Sequence, residues 1–274
     1  MRGIKQIVLL VVSLVIVLIF LFPFYWMLIT SIKPPSETVT SPPIFIPRNP
    51  TLDAYYAVFA KWSMAKYLLN SFIIAFPTMT ITITLGVMAA YGLARFQIKG
   101  LRIFLLVLFG SMLLPDVSLV LPLFIIFSRV GLLNKFPSVI LANVMLQLPF
   151  VILILRPYFS KIPKTLEEAA RIDGCSFLGA LLRIIIPLAL PGIITAAILT
   201  FLFTWGEFVF ALTFLSRSEM QPITIGLYNA IGQYGIRYNL LMANSMIAIM
   251  PVVLIFIFLQ RYIRGGLMVG GLKD

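Results

Sequence analysis

The chain has 274 residues, 61% of them hydrophobic and only 11% charged, with a mean hydropathy of +1.07. That balance excludes an ordinary soluble domain and places the chain among polytopic membrane proteins. The formal charge of +12 comes from 21 Lys and Arg, which fall mostly in short stretches between apolar runs. Such a pattern reads as topology and lipid-headgroup contact rather than nucleic-acid binding.

Six stretches are long and apolar enough to span a bilayer as helices, which need about 20 residues because every backbone group in hydrocarbon must be satisfied within the segment. They lie near 7–32, 68–94, 103–127, 137–155, 185–212 and 240–262. The expected fold is therefore all-α, one polytopic membrane domain over 1–274. Met1-Arg2-Gly3-Ile4-Lys5 imitates a signal-peptide start. The apolar run behind it continues from Ile7 to Ile32 without a small-residue cleavage pattern, so it is expected to stay as the first span. In the third stretch, Pro115-Asp116 offers an early end to the membrane part, leaving Leu119 to Val130 as an apolar helix at the outer surface.

Sorting the cations by side gives 13 on one face (Arg2, Lys5, Arg95, Lys99, Arg102, Arg156, Lys161, Lys164, Arg171, Arg183, Arg261, Arg264, Lys273) and 8 on the other. The richer side is cytoplasmic by the positive-inside rule, which puts both termini inside. It also makes 33–67 an external loop, 156–184 a cytoplasmic loop and 263–274 a cytoplasmic tail. The external loop holds Tyr55, Tyr56, Phe59 and Trp62, which suit either an interfacial aromatic belt or a docking protein.

The cytoplasmic loop is the polar island of the chain. Pro163-Lys164-Thr165-Leu166-Glu167-Glu168 has the marks of a helix start, with Thr165 as cap and Glu168 completing a capping box. Glu167 and Glu168 favour the positive end of the dipole. Asp173-Gly174 supplies a left-handed stop. A helix of about two turns is too short to stand alone in water, so it needs a partner. Two Glu and an Asp oppose an anionic leaflet, which favours docking over a resting place on lipid.

At these residues the chain resembles the membrane-spanning subunits of bacterial ABC importers, whose cytoplasmic signature is Glu-Ala-Ala, three residues, Gly, nine residues, then Ile-x-Leu-Pro. Glu168, Ala169, Ala170, Gly174, Ile184 and Pro187 fit at that spacing, with Ile186 in place of Leu. The resemblance implies a coupling helix that sits in a cleft of a separate ATPase subunit, with Glu168, Ala169, Ala170, Asp173 and Gly174 carrying the contact. Asn70-Ser71, Tyr91 to Phe96, Gly131 to Asn134, Pro222 to Leu227 and the stretch from Gln260 to Lys273 resemble the carbohydrate branch, and within it the shorter, second permease of maltose-type transporters. Gly92 stands where Ala is common. The resemblance further implies a second permease, an ATPase dimer, an extracytoplasmic solute-binding protein, a carbohydrate solute, and a tail from Gly265 to Asp274 that reaches the ATPases. The location it implies is the bacterial or archaeal cytoplasmic membrane.

No Gly-x-x-x-x-Gly-Lys-Ser/Thr occurs in the chain, so no cofactor is expected here and ATP belongs to the partner. Cys175 is the only cysteine and histidine is absent, which removes disulfides, Cys/His metal sites and His-based catalysis, so an enzyme is not expected. Asn143 and Gln147, four apart on one helical face, and Asn244 with Ser245 are candidates for the solute pathway or for helix-helix glue. Glu207 falls near the outer interface, where a structural role is favoured. A permease for a polyamine, phosphate or peptide is the alternative. An ion-driven carrier would call for paired intramembrane charges and inverted repeats.

Overall fold

The computed structural model describes residues 2–61, 63–232 and 235–268, with side chains described over 5–60, 63–231 and 237–258. In chain order the helices are α1 Arg2–Ser31, α2 Pro35–Thr38, α3 Asp53–Lys61, α4 Met64–Arg95, α5 Leu101–Ser111, α6 Asp116–Arg129, α7 Phe136–Lys161, α8 Lys164–Ile172 and α9 Phe177–Ala180. A π-helical turn, Leu181–Ile185, joins α9 to α10 Ile186–Trp205; α11 Val209–Phe214, α12 Ile223–Asn229 and α13 Tyr238–Met268 follow. The strand content among described residues is a two-residue antiparallel ladder, Ile231 against Ile236 and Gly232 against Gly235.

Five continuous segments are long and apolar enough to cross a membrane: Lys5–Ser31, Met64–Arg95, Phe136–Lys161, Phe177–Trp205 and Tyr238–Phe258. The sixth predicted span is broken. α5 and α6 meet at 94°, because Pro115 takes an extended conformation (φ −63°, ψ 134°) and has no N–H to continue α5. With the bent pair taken as one broken span, the count is the six expected. The fifth span differs from its predicted 185–212. It begins eight residues earlier, at Phe177, and stops at Trp205, where Gly206 caps it and a separate α11 follows.

Several polar side chains inside the spans satisfy themselves. Thr78, Thr80, Thr84 and Thr195 each donate to the carbonyl four residues back, at 2.7–2.9 Å, which removes the cost of an unpaired hydroxyl in an apolar medium.

The described chain forms two compact units, Met1–Lys66 with Gly226–Pro251, and Tyr67–Ile225 with Val252–Asp274. In the first, α1 is exposed along almost its whole length, and its packing concentrates at its end. Ser31 Oγ and Tyr55 Oη are 2.8 Å apart, the Tyr25 hydroxyl donates to Phe45 O, and the buried Lys33 ammonium donates to Ile44 O while lying 4.5 Å over the Trp26 ring. Glu37 accepts the Arg48 and Asn49 backbone N–H groups. Of the external aromatic cluster, Tyr55 is thus tied down, Tyr56 and Phe59 are exposed, and Trp62 lies outside the described residues.

In the second unit, one apolar cluster joins Val87, Ala90 and Tyr91 of α4 to Val151, Leu155 and Phe159 of α7 and to Leu181, Ile185 and Ala189. Gly86 makes this contact possible: a Cβ there would overlap Val151. A second cluster gathers Ile74, Leu123, Phe127, Val139, Phe210, Phe214 and Ile225. Two of the quoted motifs fasten the loop beyond it. Asn70 Nδ2 donates to Glu219 O and Gln221 O at 2.9 Å, and Ser71 Oγ accepts from Ile223 N at 2.8 Å. Asn134, at φ +57°, turns its side-chain oxygen Oδ1 to Ser216 N, Ser216 Oγ and Arg217 N.

Candidate functional site

α8 follows α7 after the short break Ile162-Pro163, with the chain direction set by Pro163 in the N-cap position. No side chain caps this end, so the expected Thr165 and Glu168 capping box is not formed. The helix starts two residues earlier than that box requires, since Pro163 lacks an N–H and its fixed φ suits a helix start. The far end is as expected. Gly174 sits at φ +85°, Gly174 N donates to Arg171 O at 3.1 Å and Cys175 N to Ala170 O at 2.9 Å, the paired bonds of a Schellman cap.

What orders so short a helix is Glu167. It is 8% exposed, forms an ion pair with Arg95 at the end of α4, and accepts a hydrogen bond from the Tyr91 hydroxyl at 2.9 Å. The Arg95 guanidinium lies 5.9 Å from the Tyr91 ring centroid, and that ring packs edge-on against Phe159 and beside Phe177. Ala170, one turn on from Glu167, is buried as well. The opposite face of α8 is open: Thr165, Glu168, Ala169, Ile172 and Asp173 are all exposed, with Ile172 at 86%.

The predicted coupling residues therefore divide. Glu168, Ala169, Asp173 and Gly174 are presented outward, whereas Ala170 faces the body of the protein. Sequence reasoning credited Glu167 only with a favourable dipole and missed its role as anchor. The usable signal was that Arg95 and Glu167 fall on the same expected side of the membrane, the one closing span two and the other opening the loop.

The second group of candidates sits on α7 and α13. Gln147 Nε2 donates to Thr204 Oγ1 of α10 at 2.8 Å and to Asn143 Oδ1 at 3.4 Å, while Asn143 Nδ2 donates to Val139 O. Part of their work is thus helix-helix glue. Asn244 is buried, and Ser245 spends its hydroxyl on Leu241 O; they belong to the first unit and Asn143 and Gln147 to the second. Glu207 has the expected structural role: its carboxylate accepts the N–H groups of Phe210 and Ala211 and so caps α11. Burial raises its pKa above the ordinary value of 4.5, against those backbone hydrogen bonds, and the nearby Asp116 charge adds to the rise.

Among the described residues no cluster of Cys, Asp and Glu could hold a metal ion. Apolar helices long enough to cross a membrane, with a short amphipathic helix between two of them that is pinned on one side and open on the other, define a polytopic membrane protein. Residues 82–268 match the family described as binding-protein-dependent transport system inner membrane component. The chain belongs to that family and is an ABC transporter permease of the inner membrane. It is 35% identical over 253 residues to the sulfoquinovosyl glycerol transport system permease protein SmoH of Agrobacterium fabrum, covering 92% of this chain and 89% of that one. It is 33% identical over 272 residues to the trehalose/maltose transport system permease protein MalG of Thermococcus litoralis, covering 98% and 97%. Among solved structures, a chain of a bacterial ABC transporter involved in import of the acidic polysaccharide alginate superposes with a TM-score of 0.83 over 95% of this chain and 97% of that one, at 23% identity, which bears on the fold alone.

Proposed function

We propose that the chain is the permease subunit of an ATP-driven sugar importer and that α8 is its coupling helix. It forms half of the translocation pathway beside a second permease and takes solute from an extracytoplasmic binding protein. It receives work from an ATPase dimer that binds the ATP, and it has no catalytic step or cofactor of its own. The sugar reading is supported by relatives named for trehalose and maltose, for arabinooligosaccharides and for sulfoquinovosyl glycerol, each covered over nine-tenths or nearly so. In this reading both termini and the loop 156–184 are cytoplasmic, 33–67 is external, and the tail 263–274, of which 269–274 lie outside the described residues, extends toward the ATPases.

One observation carries the coupling role: α8 is clamped on one face and bare on the other. An isolated two-turn helix is unstable in water, so the Glu167 anchor holds it in shape before any partner arrives. Glu168, Ala169, Ile172 and Asp173 then form a ready surface of one apolar side chain between two carboxylates, with Ala169 small enough for close approach. Closure of the ATPase cleft displaces α8, and the Arg95–Glu167 ion pair passes the motion to α4 while the π-helical junction passes it to α10. The test is copurification and solute-stimulated hydrolysis with Glu168→Lys and Gly174→Arg. Both are expected to reduce ATPase association at least about tenfold, as loss of a central interface contact does. If association and coupled hydrolysis both match the unaltered protein, α8 is not the coupling element.

A further inference from the structure

In the second unit, a cavity of about 560 Å³ is lined by Asp116, Asn143, Gln147, Phe150, Phe203 and Glu207, among others. Its size falls in the range of small-molecule sites. The hydrogen-bond chain around Gln147 fixes which end of its amide faces where. Thr204 spends its hydroxyl hydrogen on Thr200 O at 2.9 Å, so Thr204 Oγ1 accepts from Gln147 and the atom toward it is Nε2. Asn143 donates one amide hydrogen to Val139 O and turns Oδ1 toward the same Nε2. Gln147 Oε1 is left buried, with no partner among the described residues, on a side chain only 8% exposed that lines the cavity. A buried carbonyl oxygen in that position calls for a donor.

The surroundings say what kind of donor. Phe150 and Phe203 meet edge to face with centroids 5.6 Å apart, which gives the cavity an aromatic wall for the C–H face of a ring. Asp116 and Glu207 also line it, and none of the lining residues is basic. An anionic solute would meet two carboxylates without a counter-charge. We infer that this cavity is a solute contact on the translocation path for an uncharged saccharide, whose hydroxyl donates to Gln147 Oε1 and whose ring lies against Phe150 and Phe203, while Asp116 and Glu207 turn away sugar acids. The inference rests on the sugar-permease reading.

The test uses the complete transporter, both permeases, ATPases and binding protein, in proteoliposomes, with maltose, trehalose and cellobiose as neutral probes and digalacturonate as the acidic one. The unaltered assembly is expected to take up at least one neutral disaccharide and no digalacturonate. Gln147→Leu is expected to lower sugar delivered per ATP about tenfold, as a lost polar contact to substrate does, with binding-protein-stimulated hydrolysis near its original rate. An unchanged ratio overturns the inference. So does a parallel loss of uptake, hydrolysis and subunits, which would make the cavity a seam between subunits. As a second variant, Asp116→Asn at an exposed position is read by saturation-transfer NMR on the assembly in nanodiscs without binding protein. A digalacturonate signal is expected only in the variant, and one of equal strength in the unaltered assembly overturns the charge assignment. Failure of the unaltered assembly to take up any sugar overturns the sugar-permease reading itself.

Discussion

Glu167 and its neighbour Glu168 differ by one position and by everything that matters to their roles. On a helix, adjacent residues point about 100° apart, so one carboxylate turns inward to Arg95 and Tyr91 while the other faces out. Removing Glu167 leaves a buried guanidinium without its partner, which costs about 3 kcal/mol when the pair is well buried. Glu167→Gln is accordingly expected to lower the melting temperature of the solubilised protein and to weaken coupling, whereas Glu168→Gln spares stability. A double-mutant cycle with Arg95→Leu checks the attribution: the double variant should be less destabilised than the two single losses added together. The motif residues Glu168, Ala169, Ala170 and Gly174 were legible as a pattern, but which carboxylate is pinned was not. That depends on residues far apart in the chain meeting at one point.

At the scale of elements, the helix stop at Gly174 and the break at Pro115 were both readable, because each is a property of a single residue's backbone. Gly174 adopts a left-handed conformation that costs other residues about 1 kcal/mol or more, so Gly174→Ala weakens the cap without crowding the exposed face of α8. The start of α8 was misread for an instructive reason: Thr165 with Glu168 spells a capping box, but Pro163 already sets the chain on a helical path, so the box falls inside the helix. The junction of α4 and α7 adds a prediction of its own. Gly86→Val places a branched side chain where Val151 already stands, and overpacking of that kind costs about 1–3 kcal/mol. Thermal unfolding in detergent is expected to show the loss, and Val151→Ala in the same chain should restore part of it.

At the scale of the whole molecule, the claim most open to direct measurement is orientation. In a Cys175→Ser background, Ser41→Cys is expected to react with a membrane-impermeant maleimide in intact cells, and Lys164→Cys only after permeabilisation; both native residues are exposed. The reverse pattern would place α8 outside and remove it from any contact with an ATPase. The amino-acid sequence by itself determined the membrane class, the six apolar stretches, the cation asymmetry, the missing phosphate loop and the Glu-Ala-Ala motif. Each of these depends on composition or on spacing along the chain, and the energetics of the bilayer make such patterns decisive. Only the tertiary structure decided that Glu167 anchors α8, that Asn70 and Asn134 fasten the loop around 216–223, and that Gln147 keeps one buried oxygen without a partner among the described residues. The reason is physical: hydrogen bonds and ion pairs in these places join residues far apart in the chain, and their geometry exists only once the helices and loops have packed.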